Sequence, residues 1–315
     1  MVKIECNCSK VWLDYSSRFP ENIGLRFGKE PLKWENGNLP YISFMQIPSS
    51  NQASIAIVGV PFDAHSSFLP GAAKAPAAIR KALRSASANL STESLIDLNT
   101  DDNWIDVGDI EVDDYHHDIE SGVAEILDAG IRPISLGGDH SITYPIIKAV
   151  SKKHSNLNII HLDAHGDLYD EFEGNKYSHA CPFARIMEEG LAGRLIQIGI
   201  RTLSPHQKEQ AKRFEVEIIE MKDFSHNLSL ELDQPAYLSL DLDVLDPAFA
   251  PGLSHHEPGG LSTRDVISII QNLGIPLVGA DIVELNPDRD INGVTSMVAA
   301  KLLKEILDQM INNSG

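Results

Sequence analysis

The sequence predicts a single α/β domain of three layers, α/β/α, built on a mainly parallel central sheet. Two features predict it. From residue 54 onward, short β-rich apolar runs alternate with stretches of helical periodicity. Those runs are continuously apolar, as strands covered on both faces must be. No break in composition, low-complexity tract or repeat divides residues 51–315, so they read as one catalytic domain. A chain of 315 residues can bury a core of that size.

Residues 1–50, with scattered Gly, Pro and aromatics (LRFGKEPLKWENGNLPY), read as an N-terminal arm packed on the domain or on a neighbour. SIAIVGV (54–60) is the first expected strand. Pro76 stands where a helix begins, because its missing N–H costs nothing in a first turn, and AAIRKAL continues that helix. An amphipathic helix over 117–129 ends at Gly130 and leads into the strand 131–136. A helix at 142–152 precedes the strand 157–163, and a helix at 179–189 precedes 194–200. A helix at 204–213 leads to 216–220, and 236–243 is again a strand. Ser262 then caps a helix running to about 272, 276–284 is the last strand, and a long helix from 294 closes the chain.

The formal charge of −19 argues against nucleic acid and anionic membranes as partners, and suits cationic ligands or metals. No stretch has the apolar length of a membrane helix, and MVKIECNCSKVW lacks a basic-then-apolar secretory pattern. A cytoplasmic protein is therefore expected. Three cysteines, Cys6, Cys8 and Cys181, do not make a disulfide framework.

In an open parallel sheet, ligands bind beyond the carboxyl ends of the strands. Here those ends gather acid and imidazole: GGDHS (137–141) with Asp139 and His140, DAHGD (163–167) with Asp163, His165 and Asp167, and DLDVLD (241–246) with Asp241, Asp243 and Asp246. The last strand adds Asp281 and Glu284. Crowded carboxylates repel one another unless they bind protons or cations, and two divalent ions balance four carboxylates. Residues two apart on a strand face the same way, so Asp241 and Asp243 approach one centre, as do Asp163, His165 and Asp167 if that segment stays extended. Mixed imidazole and carboxylate donors suit manganese, cobalt, nickel, iron or zinc. A lone DxD element also occurs at magnesium phosphoryl-transfer sites, but the two histidine-bearing blocks fit that poorly.

GGDHS, DAHGD, SHA (178–180) and SLDLDVLDP (239–247) resemble the signatures of the ureohydrolases, the arginases, agmatinases and their relatives. The resemblance runs from GVPFD (59–63) to the C-terminus and is nearest to plant-type arginases in EGNKYSHA, EPGGLS and NPDRD. It implies a homotrimer or homohexamer and two divalent ions, Mn²⁺ first, with Ni²⁺ or Co²⁺ as alternatives. One ion would be held by His140, Asp163, Asp167 and Asp241, the other by His165, Asp163, Asp241 and Asp243. His179 would shuttle protons, Asp167 would relay one, and Glu284 would anchor the guanidinium group of a small guanidino substrate. The implied reaction releases urea and an amine, from L-arginine as first choice. Agmatine, 4-guanidinobutyrate, homoarginine and free guanidine are alternatives, and a metal-binding subunit without catalysis is the alternative of another class.

His65, Ser66, Asn175 and Ser178 are candidates to bind the far end of the substrate, and Asp139 to support a metal-binding histidine. Asp246, before Pro247, reads as a turn acid. Two positions depart from the family. Gly166 stands where relatives carry Thr or Pro, and Ser204 stands where animal-type arginases place an acid for the α-amino group.

Overall fold

The computed structural model describes residues 45–47 and 53–313, except 227, 229 and 233, together with the backbone of 2–6 and 9–13. Most of the expected arm, residues 1–50, thus lies outside the described residues. The chain divides into two compact units, Met1–Leu32 and Lys33–Gly315. In the first, Val2–Cys6 (β1) and Ser9–Leu13 (β2) pair antiparallel.

The second unit is built on an eight-stranded sheet. Its strands are Ile55–Gly59 (β3), Trp104–Asp109 (β4), Arg132–Leu136 (β5), Asn158–Leu162 (β6), Arg194–Ile200 (β7), Glu217–Glu220 (β8), Ala236–Asp241 (β9) and Leu277–Val283 (β10). The spatial order is β4-β3-β5-β10-β9-β6-β7-β8, and every adjacent pair is parallel. The helices are Ala75–Leu83 (α1), Asp118–Asp128 (α2), Thr143–Ser151 (α3), Pro182–Glu188 (α4), Pro205–Arg213 (α5), Thr263–Gln271 (α6) and Val294–Asn312 (α7).

Alternate residues of each strand feed opposite faces. Ile55 and Ile57 pack into one core with Ile79 of α1, Val266 of α6 and Leu303 of α7. Ala56 and Val58 pack into the other with Val123 of α2, Ile146 of α3 and Phe183 of α4. These are the three expected layers. Gly130 ends the turn after α2 at φ 77, a conformation that favours glycine.

Within the eight-stranded sheet one strand went unread in the sequence, as did the β1–β2 pair in the expected arm. β4, WIDVGD, is interrupted by acids because it is an edge strand. Arg80 binds Asp106 at 2.9 Å and also pairs with Asp109, while Arg84 reaches Asp106 at 3.1 Å. The backbone N–H groups of Met45 and Gln46 donate to Asp109 and Val107, which covers the open edge. Among the described residues no helix is long and apolar enough to cross a membrane.

What matters for the site is the centre of the sheet. β5, β10, β9 and β6 are consecutive neighbours, and the four acid- and histidine-bearing segments follow their carboxyl ends.

Candidate metal centre

After β5 the chain passes through Gly137 and Gly138. A Cβ at Gly138 would lie 1.8 Å from the Phe62 carbonyl oxygen, so only glycine fits there. Asp139 then caps the short turn His140–Ile142, accepting from the Ser141 N–H at 3.0 Å, and this holds His140 in place. The His140 ring is fully buried. Its Nε2 lies 3.0 Å from Ser239 Oγ, and Ser239 gives its only hydrogen to Asp281 Oδ1 at 2.8 Å. Ser239 therefore accepts from His140, and Nε2 carries the hydrogen. Nδ1 is left facing Asp163 Oδ2 and Asp167 Oδ2 at 3.1 Å each and Asp241 Oδ2 at 3.2 Å. It has no hydrogen-bond partner among the described residues. A buried nitrogen aimed at three carboxylate oxygens is a place for a cation.

His165 repeats the pattern beside it. Its Nδ1 is 2.8 Å from Asp243 Oδ2 and 3.4 Å from Asp163 Oδ1. Asp163 thus turns one oxygen to each histidine. Donor atoms of Asp163, His165 and Asp243 lie within 4.8 Å of one another, as do those of His140, His161, Asp163 and Asp167. The residues present fit a pair of divalent ions.

Electrostatics without the ions are in conflict. Burial, then Asp243 and Asp163, push Asp241 well above the usual carboxylate range. Burial and Asp163 push Asp243 up to about 6. Burial opposes charge on His140 and His165, yet the surrounding carboxylates raise both well above the ordinary histidine value. Protons are drawn to the places a cation would take.

The convergence is not reached as the strand parity predicted. β6 ends at Leu162, and Asp167 sits in the left-handed region at φ 48. Likewise β9 ends at Asp241, and a short turn over Leu242–Val244 swings Asp243 round, its N–H donating to Asp241 Oδ1 at 2.8 Å. Bends, not extended alternation, gather the acids. Glu284 is also left-handed, at φ 68. Such backbones cost energy and persist where the surroundings over-determine them.

Asp281 is not at the sheet edge. It lies buried under the centre and accepts from Thr143, Tyr237 and Ser239 at 3.0, 3.0 and 2.8 Å. Its part is to orient His140 through Ser239. Asp139 supports His140 by its backbone turn rather than by its ring, and it also accepts from the His65 N–H at 3.0 Å and the Ser66 hydroxyl at 3.3 Å.

Glu284 Oε1 accepts from the His140 N–H at 2.8 Å and lies 2.8 Å from His179 Nδ1. Burial opposes protonation of His179, but Glu284 overrides it and raises the imidazole to about 9. On its other side, His179 Nε2 is 2.8 Å from the Ser67 hydroxyl. His255 lies above His179, ring centres 5.1 Å apart, and 6.0 Å from His165.

The four expected substrate contacts lie in the two loops around His179. His65 packs between Phe62 and Tyr115, ring centres 5.0 and 4.4 Å away. Asn175 Oδ1 accepts from the Tyr177 N–H at 2.9 Å, and Ser178 Oγ from the Ala180 N–H at 3.4 Å. Asp246 is a turn acid, accepting from Ala248 and Gly259 at 2.9 and 2.7 Å. A Cβ at Gly166 would point at Leu203, 3.0 Å away, and at Gln197 and Gln207, away from the acids. The Ser204 hydroxyl is spent on a capping box with Gln207 that opens α5.

Sequence reasoning missed His161, Gln197, Ser67 and Arg201. Arg201 ties two loops together, donating to the carbonyls of Asp243 at 2.7 Å and Glu257 at 2.5 Å. His161, two residues before Asp163 on a strand, was findable from its spacing; the others carry no local signal.

Known proteins resemble this chain in sequence and in fold. The chain is 50% identical to "Arginase 1, mitochondrial" of Arabidopsis thaliana over 81% of this chain and 80% of that one. It is 37% identical to the human "Guanidino acid hydrolase, mitochondrial", covering 84% and 81% respectively. The solved arginase of Medicago truncatula superposes with a TM-score of 0.78 at 46% identity, over 82% of this chain and 87% of that one. The expectation of a cytoplasmic protein is overturned: several plant arginase relatives, those of Arabidopsis thaliana, Oryza sativa and Medicago truncatula among them, are named mitochondrial, which points to an organelle. Lack of a secretory pattern says nothing of organellar import, whose leaders are amphipathic and arginine-rich rather than apolar. The Arginase family profile matches residues 53–308. Like the relatives it matches along most of its length, this chain is a ureohydrolase and belongs to the arginase family, whose enzymes work with a pair of metal ions.

Proposed function

We propose that the protein hydrolyses L-arginine to urea and the corresponding amine, using two Mn²⁺ ions or, in their place, Ni²⁺ or Co²⁺. The carrying observation is His140 Nδ1, buried and aimed at Asp163, Asp167 and Asp241 within 3.1–3.2 Å. His140, Asp163, Asp167 and Asp241 would hold one ion, and His165, Asp163, Asp241 and Asp243 the other. Bound there, the ions supply a water activated for attack at neutral pH.

The chain's own residues do the rest. Glu284 keeps Oε1 on His140 and His179, which leaves Oε2 to accept from the guanidinium and hold its carbon over the centre. Asp167 takes a proton there and hands it to the departing nitrogen. His179 stands between Glu284 and Ser67, so its two nitrogens link the anchor to the loop beyond it. His65, Ser66, Asn175 and Ser178 would shape the far end of the pocket. The catalytic domain is taken as 51–315, assembled as a homotrimer or homohexamer.

A guanidino acid lacking an α-amino group is a second reading. It is favoured by Ser204, whose hydroxyl is committed to the α5 cap and so offers nothing to an ammonium. Urea release from arginine, agmatine, 4-guanidinobutyrate, homoarginine and guanidine, with each metal, separates the readings. Arginine turned over fastest supports the first. No urea from any of them rejects the proposal.

A further inference from the structure

Beneath Asp163 runs a chain of hydrogen bonds that the proposed roles do not use. His161 is fully buried in β6, two residues before Asp163. Its Nε2 is 2.7 Å from Asp163 Oδ2, and its Nδ1 is 3.0 Å from Gln197 Nε2. Gln197 lies directly across from His161 in β7, and the same Nε2 is 2.6 Å from the Gly166 carbonyl oxygen.

The direction of every bond follows. A carbonyl oxygen can only accept, so the Gln197 nitrogen, not its oxygen, faces Gly166. That nitrogen gives its second hydrogen to His161 Nδ1. Nδ1 therefore accepts, and the hydrogen of the ring sits on Nε2, pointed at Asp163 Oδ2. Phe183 stacks on the ring with centres 3.9 Å apart and planes 28° from parallel, which fixes its tilt.

We propose that His161 is a positioning residue that aims the Asp163 carboxylate so that each of its oxygens serves one cation. Gln197 locks this donor to the Gly166 carbonyl, in the loop that carries both His165 and Asp167. The inference rests on the two-cation reading above. Oδ2, which His161 holds, faces His140. Oδ1 faces His165 and is held separately, by the His165 N–H at 2.5 Å. Loss of His161 therefore weakens the cation on the His140 side and spares the other.

The test is a Mn²⁺ titration of the full, chelator-stripped chain, with free Mn²⁺ read by electron paramagnetic resonance. The parent binds two ions. His161→Leu weakens one of the two affinities by about 10–100-fold, the usual effect of removing a partner that orients a ligand. His161→Gln, whose amide nitrogen can reach the place of Nε2, restores it. Two parental affinities in His161→Leu, or a His161→Gln as impaired as His161→Leu, overturns the positioning role. A parent that binds fewer than two ions overturns the two-cation reading and this inference with it. Should His161→Leu not fold, Gln197→Met carries the test: it frees His161 Nδ1, the same single affinity weakens, and unchanged affinities overturn the proposal.

Discussion

Single residues decide the chemistry, and Ser67 offers the sharpest case. Its hydroxyl is 2.8 Å from His179 Nε2 and can donate to that nitrogen or accept from it. Ser67→Ala should lower kcat about 2–10-fold, the worth of one hydrogen bond of about 0.5–1.5 kcal/mol, and leave KM unchanged. Equal rates in steady-state assays would show that the Ser67 contact with His179 has no part in turnover. Glu284→Gln strips the charge from the proposed anchor, so kcat/KM should fall about 10–150-fold, from a charge-assisted bond of about 1.5–3 kcal/mol. It also removes what holds His179 up to about 9. In the metal-free protein the His179 ring resonances should then titrate nearer the ordinary histidine value; no movement by NMR would refute the pairing. GGDHS, DAHGD and SLDLDVLDP made a cation centre legible because acids and imidazoles are costly to crowd without one, whereas the share of each residue between two ions came only from the family resemblance. Ser67 was not legible, since nothing local distinguishes it from Ser66.

Most elements were readable because a strand buried on both faces and an amphipathic helix leave different periodicities. The failures sit where polar residues do structural work. β4 hides its strand character behind Asp106 and Asp109, which exist to meet Arg80 and Arg84. The turns after β6 and β9 were invisible because alternation says nothing about a left-handed Asp167. Ser204 shows the reverse: the sequence marked it only as a departure from the acid of animal-type arginases, and local geometry gives it a capping role at the start of α5. Ser204→Ala should cost about 1 kcal/mol, the worth of an N-cap, and lower the melting temperature by about 2 °C. Turnover and KM should not change; a raised KM for arginine would show that Ser204 does more than cap α5.

For the whole molecule, the unbalanced centre links stability to metal and pH. His140, His165 and His179 all have raised values in the metal-free fold. A raised histidine stabilises the fold below its unfolded value and loses that contribution as pH rises through the folded one. For His179 the window runs from 6.5 to about 9. Buried His161 is shifted the other way and so titrates below that window. The melting temperature of the chelated protein should therefore fall between about pH 6.5 and 9. Adding Mn²⁺ should raise it and flatten the part of the slope that belongs to His140 and His165, because ions displace their protons while His179 keeps its pairing with Glu284. A flat profile without metal, read by differential scanning fluorimetry, would contradict the electrostatics described here.

The sheet order carries one more consequence. β10 is the last strand in the chain, yet it stands between β5 and β9. While the polypeptide is still emerging from the ribosome, His140 and Asp241 hang from strands with a gap between them. Only when residues 277–283 slide into that gap do the two sides acquire a fixed spacing. A chain without that strand can already join β6 to β9, but it has no fixed place for the cation that His140 would share, so a filled pair marks a sheet that is complete.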